Sequence, residues 1–258
     1  MSAIQPSQDQ LDFHLQKLVA CTTPFDPNKL AKLLRAGANP MTRDENGRNC
    51  LHNCAILGKW QYFKALLDSP KVDINAIDNL ARTPLIQVII HQDPKNFHLF
   101  RPESKGQYEC VQALIQRGAK VNLRDKEGRT ALHYAITYKR WASFLAIIKC
   151  FSDDGLTMGD NSGQTLIHAL LDPVDPVNPL KLRSANLGSD ETFPLKCLKV
   201  LLAKGLDVNA KDLSGRSPLH YAATSHKWDC FQELVNKGAH ISDTDSEGAT
   251  PMHRHIKF

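Results

Sequence analysis

The sequence lacks any apolar run that approaches the roughly eighteen residues of a membrane-spanning helix. It also lacks a secretory leader, because the N-terminal stretch MSAIQPSQDQLDFHLQKL has no basic segment followed by an apolar one. Both absences favour a soluble protein in a cytosol-like compartment, and we expect a cytoplasmic location.

Cysteine is present, but without the pattern of a disulfide framework or a zinc site. The chain has seven cysteines, an odd number, and no CxxC pair. Cys50, His52 and Cys54 are close in sequence. However, positions i and i+2 of a helix do not face each other, and zinc needs about four converging ligands. We therefore predict buried thiols in a reducing compartment and no metal site.

Signatures of catalysis and of nucleic-acid binding are also missing. The chain contains no phosphate-binding glycine-rich loop, no GxSxG, no HExxH and no kinase motif. Its net charge of +5 and isoelectric point near 8.8 are mildly basic, but Lys and Arg are interspersed with Asp and Glu. We predict that the chain is not an enzyme and has no cofactor, no nucleic-acid partner and no membrane insertion.

What the sequence does contain is an internal repeat. One pattern, with an Asp immediately before it, occurs six times along the chain. The copies are ENGRNCLHNCA (45–55), NLARTPLIQVI (79–89), KEGRTALHYAI (126–136), NSGQTLIHALL (161–171), LSGRSPLHYAA (213–223) and SEGATPMHRHI (246–256). A second pattern, typified by LLAKGLDVN (201–209), closes most units.

These segments resemble the ankyrin repeat, whose signature includes T-P-L-H-x-A at a period of about 33 residues. The resemblance covers nearly the whole chain and recurs in register. It implies an all-α ankyrin-repeat solenoid, elongated and curved, in which helix-turn-helix units are joined by β-hairpin or loop connections. One unit cannot bury its apolar faces alone, so stacked neighbours must share a continuous core.

The residues of the unit agree with that fold. Asp212 and Gly215 suit a tight turn, and Ser217 can cap a helix that Pro218 begins. Gly205 follows the second helix, where it can end that helix in a left-handed conformation. The resemblance also implies a hydrogen-bonding role between repeats for the histidines of the T-P-L-H position, which are His52, His133, His168, His220 and His253.

The spacing of the leading aspartates sets the predicted unit boundaries. Residues 1–43 are predicted to form an N-terminal capping repeat, followed by units 44–77, 78–124, 125–159, 160–211 and 212–244 and a partial unit 245–258. Two units are oversized for the family period, and their extra residues fall between the two helices, within 91–106 and 172–194. The last unit has no second helix, so we expect a fragment of a longer chain.

The three tryptophans recur in one context. Trp60, Trp141 and Trp228 each follow a Lys or Arg and precede a Phe by three residues. They could form an aromatic binding platform. We favour structural staples that open the second helix, because residues three apart share a helix face. Since Trp occurs only in units without an insertion, the pattern indicates a duplicated two-repeat block.

The resemblance implies a protein–protein interaction module that binds through a concave face of turn tips and first helices. The tip residues we expect at the interface are Glu45, Asn46, Arg48, Leu80, Arg82, Lys126, Glu127, Arg129, Leu213, Ser214 and Arg216. The first-helix residues are Ile56, His91, Tyr138, Thr224 and Ser225. Tyr138 is the best hot-spot candidate, because aromatic residues dominate interface energetics. The recurring arginines either serve the turn itself or meet an acidic partner.

Two further sets of residues have open alternatives. In the first long loop, Phe97 and Phe100 either bind a partner or cover helix ends. Asn75 and Asn209 resemble ankyrin-repeat asparagines that a 2-oxoglutarate-dependent hydroxylase modifies, but they also match structural asparagines of the loop.

The function that follows is that of an adaptor or scaffold, monomeric by itself, which binds a protein of unknown identity. A bacterial effector acting in the host cytosol is one form of this hypothesis. The alternative is the targeting segment of a longer enzyme whose catalytic domain lies beyond residue 258. A nucleic-acid or membrane-surface binder is supported only by the mild basicity.

Overall fold

The computed structural model describes residues 6–20, 24–91, 103–151, 156–172 and 192–256. Within these ranges every regular element is a helix, and the connections between repeats are turns rather than paired strands. Phe97 and Phe100 lie outside the described residues, so their predicted role stays a prediction.

The helices occur as pairs, a first and a second helix for each repeat. They are α1 (Gln8–Ala20), α2 (Pro27–Arg35), α3 (Cys50–Ile56), α4 (Trp60–Leu67), α5 (Pro84–Ile90), α6 (Lys105–Gln116), α7 (Ala131–Thr137), α8 (Trp141–Ile148), α9 (Leu166–Leu171), α10 (Thr192–Ala203), α11 (Pro218–Thr224), α12 (Trp228–Asn236) and α13 (Pro251–Ile256). The helices α1 and α2 lie within residues 1–43, the segment predicted to form the N-terminal capping repeat.

The first helix of each repeat begins with the cap that the motif encodes. Ser217 and His220 form a reciprocal capping box, in which the Ser217 backbone N–H donates to His220 Nδ1 at 3.1 Å. The same box occurs at Asn49–His52, Thr130–His133 and Thr165–His168. These helices have only six or seven residues, too few to be stable in isolation, so their stability depends on caps and on stacking.

The other nitrogen of the same histidines links one repeat to the next. Nε2 of His52, His168 and His220 donates to the carbonyl oxygen of a residue in the following turn, at 3.0 Å in each case. The acceptors are Arg82, Arg216 and Ala249 respectively. The predicted hydrogen-bonding role of these three rings between repeats is confirmed.

Two compact units divide the chain, residues 1–126 and 127–258. In the first, α1, α3 and α5 stack in order, and α6 packs against both α4 and α5. In the second, α7, α9, α11 and α13 stack in order, and α12 packs against both α10 and α11. The second helices α6 and α12 thus each pack against their own first helix and against the preceding second helix.

The tryptophans are the first residues of α4, α8 and α12, as predicted. Trp141 stacks on Phe144 with ring centroids 5.5 Å apart, and Trp228 contacts Phe231 at 5.7 Å. Because each ring packs on its own helix, the staple is confirmed at these two positions.

The basic residue before Trp228 also serves the fold. Lys227 Nζ donates to the carbonyl oxygen of Leu170 at 2.8 Å, at the C-terminal end of α9, where carbonyl groups have no partner within the helix. A cation is favoured there by the helix dipole as well.

One turn departs from the repeat pattern. The third residue after each leading aspartate is usually Gly, as at Gly215 with φ +72°, but Ala81 occupies this place with φ +59°. The left-handed region is unfavourable for a residue with a Cβ. Ala81 is therefore a strained position that the surrounding turn maintains.

We predict that Ala81→Gly stabilises the chain by about 0.5–1 kcal/mol. The left-handed conformation costs an L-residue about 1–2 kcal/mol, and the greater unfolded-state entropy of Gly removes about 0.5–1 kcal/mol of that gain. Urea unfolding followed by circular dichroism measures the change. Gly215→Ala is the matched control and must destabilise; an unchanged or destabilised Ala81→Gly variant would show that the turn is unstrained.

We also predict that stability declines as the pH falls below about 6.5. Burial lowers the pKa of His52, His168 and His220, although their hydrogen bonds to carbonyl groups oppose this effect. The unfolded chain, whose histidines titrate near pH 6.5, then binds more protons than the folded chain. The stabilisation is complete above about pH 6.5 and is lost as the pH falls through each folded-state pKa.

The measurement is the urea midpoint at about pH 7.5 and 5.5. His168→Gln should reduce the difference between the two midpoints, whereas Asn122→Ala, at an exposed site that has no titratable group, should preserve it. Equal effects of the two substitutions on the difference would contradict the assignment to the buried rings.

Candidate partner-binding surface

Each turn tip is built around the leading aspartate of its repeat. Asp212 Oδ1 accepts hydrogen bonds from the backbone N–H groups of Ser214 at 2.8 Å and Arg216 at 2.9 Å. The Asp212 N–H donates to the carbonyl oxygen of Arg216 at 3.0 Å. The same three bonds recur at Asp44, Asp78, Asp160 and Asp245.

The second carboxylate oxygen ties the turn to the first helix. Tyr221 donates its hydroxyl to Asp212 Oδ2 at 2.7 Å. Equivalent bonds to Oδ2 come from Asn53 at Asp44, from Gln87 at Asp78 and from Arg254 at Asp245. These partners were not predicted from the sequence. Their signal is a hydrogen-bonding side chain nine residues after the leading aspartate, on a helix that is otherwise largely apolar.

These bonds keep the buried carboxylate charged. Burial acts to raise the pKa of Asp212, but hydrogen bonds from Tyr221 and from the turn outweigh it, so the pKa is below its usual value. Burial acts to raise the pKa of Asp245 as well. Hydrogen bonds from Arg254 and from the turn outweigh this effect, so the pKa of Asp245 is also below its usual value. The turns are thus held by ionised acceptors, which make stronger hydrogen bonds than neutral groups.

Successive turns are joined along the backbone. The N–H of Asn79 donates to the carbonyl oxygen of Asn46 at 2.9 Å, and that of Leu213 to Ser162 at 3.0 Å. The same bond links Lys126 to Leu80, Asn161 to Glu127 and Ser246 to Ser214, at 3.0 Å each. Because these backbone groups already form hydrogen bonds with the neighbouring turn, a partner would contact the side chains of the tips.

Most of the predicted tip residues are exposed. Glu45, Asn46, Lys126, Glu127 and Ser214 are in this class. Two apolar residues join them: Leu80, whose exposed fraction is 45%, and Leu213, at 79%. The structure therefore brings predicted residues together at the tips within each unit.

The predicted arginines are engaged with the turns themselves. Arg216 Nε donates to Asp212 Oδ2 at 3.1 Å, and its guanidinium lies over the Tyr221 ring, 4.7 Å from the centroid. Arg82 forms an ion pair with Asp125 at 3.8 Å, and Arg129 pairs with Asp160 at 3.4 Å and with Glu127 at 2.9 Å. Arg48 is half-buried at the equivalent place. These contacts support the structural alternative for the arginines.

The predicted first-helix residues are half-buried, and several take part in local bonding. His91 Nδ1 bonds the carbonyl oxygen of Ile56 at 3.0 Å, while its ring meets Trp60 edge-on at 4.8 Å. The hydroxyl groups of Thr224 and Ser225 donate to carbonyl groups of their own helix. Tyr138 is half-buried at the C-terminal end of α7.

Comparison with known proteins agrees with this architecture. Family models described as ankyrin repeats match residues 190–257 (three copies) and 97–151 (many copies). The nuclear factor NF-kappa-B p105 subunit of Gallus gallus is 31% identical over 185 residues, covering 70% of this chain and 16% of that protein. The chain belongs to the ankyrin-repeat family.

Two further ankyrin comparisons extend along the array. Inversin of Homo sapiens is 25% identical over 223 residues, covering 86% of this chain and 18% of inversin. The crystal structure of the ankyrin repeat domain of Bcl-3, a member of the IkappaB protein family, superposes with a TM-score of 0.65 at 19% identity and covers 93% of this chain and 92% of that one. The chain thus spans less than a fifth of the length of either sequence relative.

An ankyrin array is a protein–protein interaction module, and this chain is one.

None of its described helices is long and apolar enough to cross a membrane. Within the described residues, no three His, Cys, Asp or Glu side chains are placed to hold a metal ion together.

The cysteines of the ankyrin array are mostly core residues. Cys50, Cys54 and Cys110 are buried, and burial raises the pKa of the Cys50 thiol to about 12. Such thiols stay protonated and are poor nucleophiles. Cys150 differs from the expectation, because it is exposed in the turn that follows α8.

The two asparagines proposed as modification sites have a structural use in the array. Asn209 Oδ1 accepts from the N–H of His240 at 2.9 Å, and Asn209 Nδ2 donates to Gly238 O at 3.2 Å. Asn75 Oδ1 accepts from the N–H of Lys120 at 2.8 Å. Each amide therefore ties the loop of one repeat to that of the next, while hydroxylation stays a prediction.

We predict that Asn209→Ala destabilises the chain by about 1 kcal/mol, because the variant loses the two amide hydrogen bonds, while water can still reach the exposed backbone groups of Gly238 and His240. Urea unfolding measures the loss. Asn122→Ala, at an exposed position, is the control and should change stability by less than about 0.5 kcal/mol. Equal stability of the two variants would show that the amide tether is dispensable.

Proposed function

We propose that the chain binds a protein partner through its turn tips, with Leu213 as the principal contact in residues 127–258 and Leu80 in residues 1–126. The observation that carries this proposal is the 79% exposure of Leu213 on a turn that Asp212 holds with three hydrogen bonds. A turn that is already ordered loses little conformational freedom on association. Burial of a leucine side chain contributes about 1.5–3 kcal/mol.

The surroundings of these leucines indicate the chemistry of the partner. Arg82 and Arg216 already form ion pairs with Asp125 and Asp212. A partner surface with an apolar centre and a polar rim therefore suits the tips better than an acidic one, because an acidic surface would have to compete with these aspartates. This arrangement matches the general anatomy of protein interfaces.

In the cell, we propose a cytoplasmic adaptor or scaffold, for which an effector acting in a host cytosol is one setting. A second proposal is that the array targets a longer enzyme to its substrate protein. The length of the relatives supports the second proposal, since the matched segment covers only 16–18% of the two relatives described above.

The test is capture of partners from a cytosolic lysate by the immobilised chain, quantified by mass spectrometry. Leu213→Asp should reduce the captured amount of a specific partner about tenfold or more, which corresponds to about 1.4 kcal/mol. Leu80→Asp and Tyr138→Ala test the remaining predicted contacts in the same assay.

The matched control is Phe13→Asp, which changes a residue of 63% exposure on α1, away from the turn tips. Circular dichroism must show that every variant is folded. Capture that is insensitive to both leucine variants, or equally sensitive to the Phe13 variant, would contradict the placement of the site.

A further inference from the structure

Arg48 differs from the other arginines at the same position of the turn. Arg82, Arg129 and Arg216 each form an ion pair with a leading aspartate, at 3.8, 3.4 and 3.1 Å respectively. Arg48 forms no ion pair with any described residue, and its buried Nε has no hydrogen-bond acceptor among them. Buried polar groups nearly always have a partner, and a buried charge is destabilising without one. The guanidinium group of Arg48 is therefore a candidate binding site for an acidic group.

The aspartates nearest to Arg48 in the repeat receive other donors. Asp44, which leads its own turn, accepts a hydrogen bond from Asn53 Nδ2 at 3.2 Å. Asp78, which leads the following turn, accepts one from Gln87 Nε2 at 2.8 Å. Arg48 itself contributes to the turn through its backbone N–H, which donates to Asp44 Oδ1 at 2.9 Å. Its side chain is thus not used to hold the turn together.

A second guanidinium group lies at the same turn. Arg43 is exposed, and its Nη1 donates to the carbonyl oxygens of Ile77 at 2.7 Å and of Gly47 at 3.3 Å. These carbonyl groups accept hydrogen bonds but do not neutralise its charge. Burial is the main cause that lowers the pKa of His52, and Arg43 and Arg48 both lower it further. The two positive charges therefore act on the same part of the first turn.

Two exposed apolar side chains belong to the next turn. Ile77 is 43% exposed and Leu80 is 45% exposed. The backbone N–H of Asn79 donates to the carbonyl oxygen of Asn46 at 2.9 Å, so the two turns are fixed next to each other. Arg43 joins them as well, through its bond to Ile77. Neighbouring turns thus present positive charge and apolar surface together.

The chemistry of this surface favours one carboxylate on an otherwise apolar segment. At the equivalent positions the guanidinium groups bind carboxylates of this chain, and such charge-assisted pairs are among the strong hydrogen bonds. An extended acidic surface fits less well, because Arg82 is already paired with Asp125. A doubly charged phosphate fits less well too, because Glu45 is exposed on the same turn and would repel it.

We propose that Arg48, with Arg43 beside it, binds the carboxylate of an Asp or Glu side chain of the partner protein, while apolar residues next to that acid contact Ile77 and Leu80. This inference rests on the proposed function, because it assigns a charged contact to the turn-tip surface that contains Leu80. It makes Arg48 the residue that selects a partner by charge.

The probe is the acetylated and amidated peptide Gly-Leu-Glu-Leu-Gly, added to the full chain labelled with ¹⁵N at its arginines. The Nε–H resonance of Arg48, identified by its loss in Arg48→Gln, should shift with peptide concentration. The Nε–H resonance of Arg216 should not move, because that nitrogen donates to Asp212. A matched peptide with glutamine in place of glutamate should bind about fivefold more weakly, as expected for the loss of one accessible ion pair.

Variants of the full chain locate the binding, which the remaining arginine and backbone amide resonances report. Arg48→Gln should weaken binding of the glutamate peptide about fivefold and leave that of the glutamine peptide unchanged. Arg35→Gln is the matched control, because it removes the same charge from an exposed position of α2, and it should change neither. Glu45→Gln should strengthen binding of the glutamate peptide. Urea unfolding must show that each variant is folded.

Leu80→Ala distinguishes this inference from the proposed function. It should weaken binding of both peptides equally, because it removes an apolar contact that does not depend on charge. If Leu80→Ala weakens both while Arg48→Gln weakens neither, the carboxylate site is refuted and the leucine contact stands. If Arg48→Gln weakens only the glutamate peptide while Leu80→Ala has no effect, the carboxylate site stands and the leucine contact is refuted.

Three further results would overturn the proposal. The first is the absence of an Arg48 shift at a glutamate-peptide concentration of about 10 mM, which is the weak end of specific binding. The second is equal binding of the two peptides, which would show that the charge is not recognised. The third is tighter binding of inorganic phosphate than of the glutamate peptide, because it would assign the two arginines to a phosphorylated ligand.

Discussion

The carboxylate of the leading aspartate in each repeat is the interaction on which the surface of this chain depends. One oxygen of Asp212 closes the turn through two backbone N–H groups, and the other receives the hydroxyl of Tyr221 from the first helix. A single buried charge, satisfied on both sides, therefore fixes the tip against the helix pair. Without it, the backbone N–H groups of the turn would lack acceptors, and a buried donor left unpaired is destabilising by about 1–3 kcal/mol.

Two sets of hydrogen bonds connect these turns to the neighbouring repeats. Backbone bonds between successive tips, such as Leu213 to Ser162, run along the surface. Beneath the surface, the rings of His52, His168 and His220 each cap their own helix and donate to a carbonyl group of the following turn. These two sets of bonds stabilise the short helices by connecting repeats to their neighbours, as expected for an array in which single repeats are not stable alone.

The fold was predictable because its determinants are local and recur. Ser217, Pro218 and His220 specify the start of a helix within four residues, and six copies in register leave little ambiguity about the architecture. The position of Trp141 at the start of α8 followed from the same register. The conformation of Ala81 did not follow, because nothing in its own side chain favours a left-handed backbone; the turn imposes it.

The candidate site was less predictable, because it depends on which side chains already form bonds with neighbouring residues and which remain exposed. The arginines of the turns were expected either at an interface or in the turn. Only the structure shows that Arg216 is held by Asp212 and Tyr221. Thr224 and Ser225 were expected to face a partner, yet their hydroxyl groups are used within α11. Leu213 was one of many tip residues in the sequence, and its 79% exposure distinguishes it from the others.

The pairing of short and oversized repeats restricts how such an array can change its length. Lys227 of a short repeat caps the α9 helix of an oversized one, and Trp60 and Trp141 of short repeats pack on the second helices of the oversized repeats that follow them. Removal of one repeat would place two repeats of the same kind side by side and separate these residues from their contacts. Removal or duplication of two adjacent repeats would keep short and oversized repeats in alternation. A pair of repeats, with its four helices, is therefore the expected step by which an array of this kind changes its length.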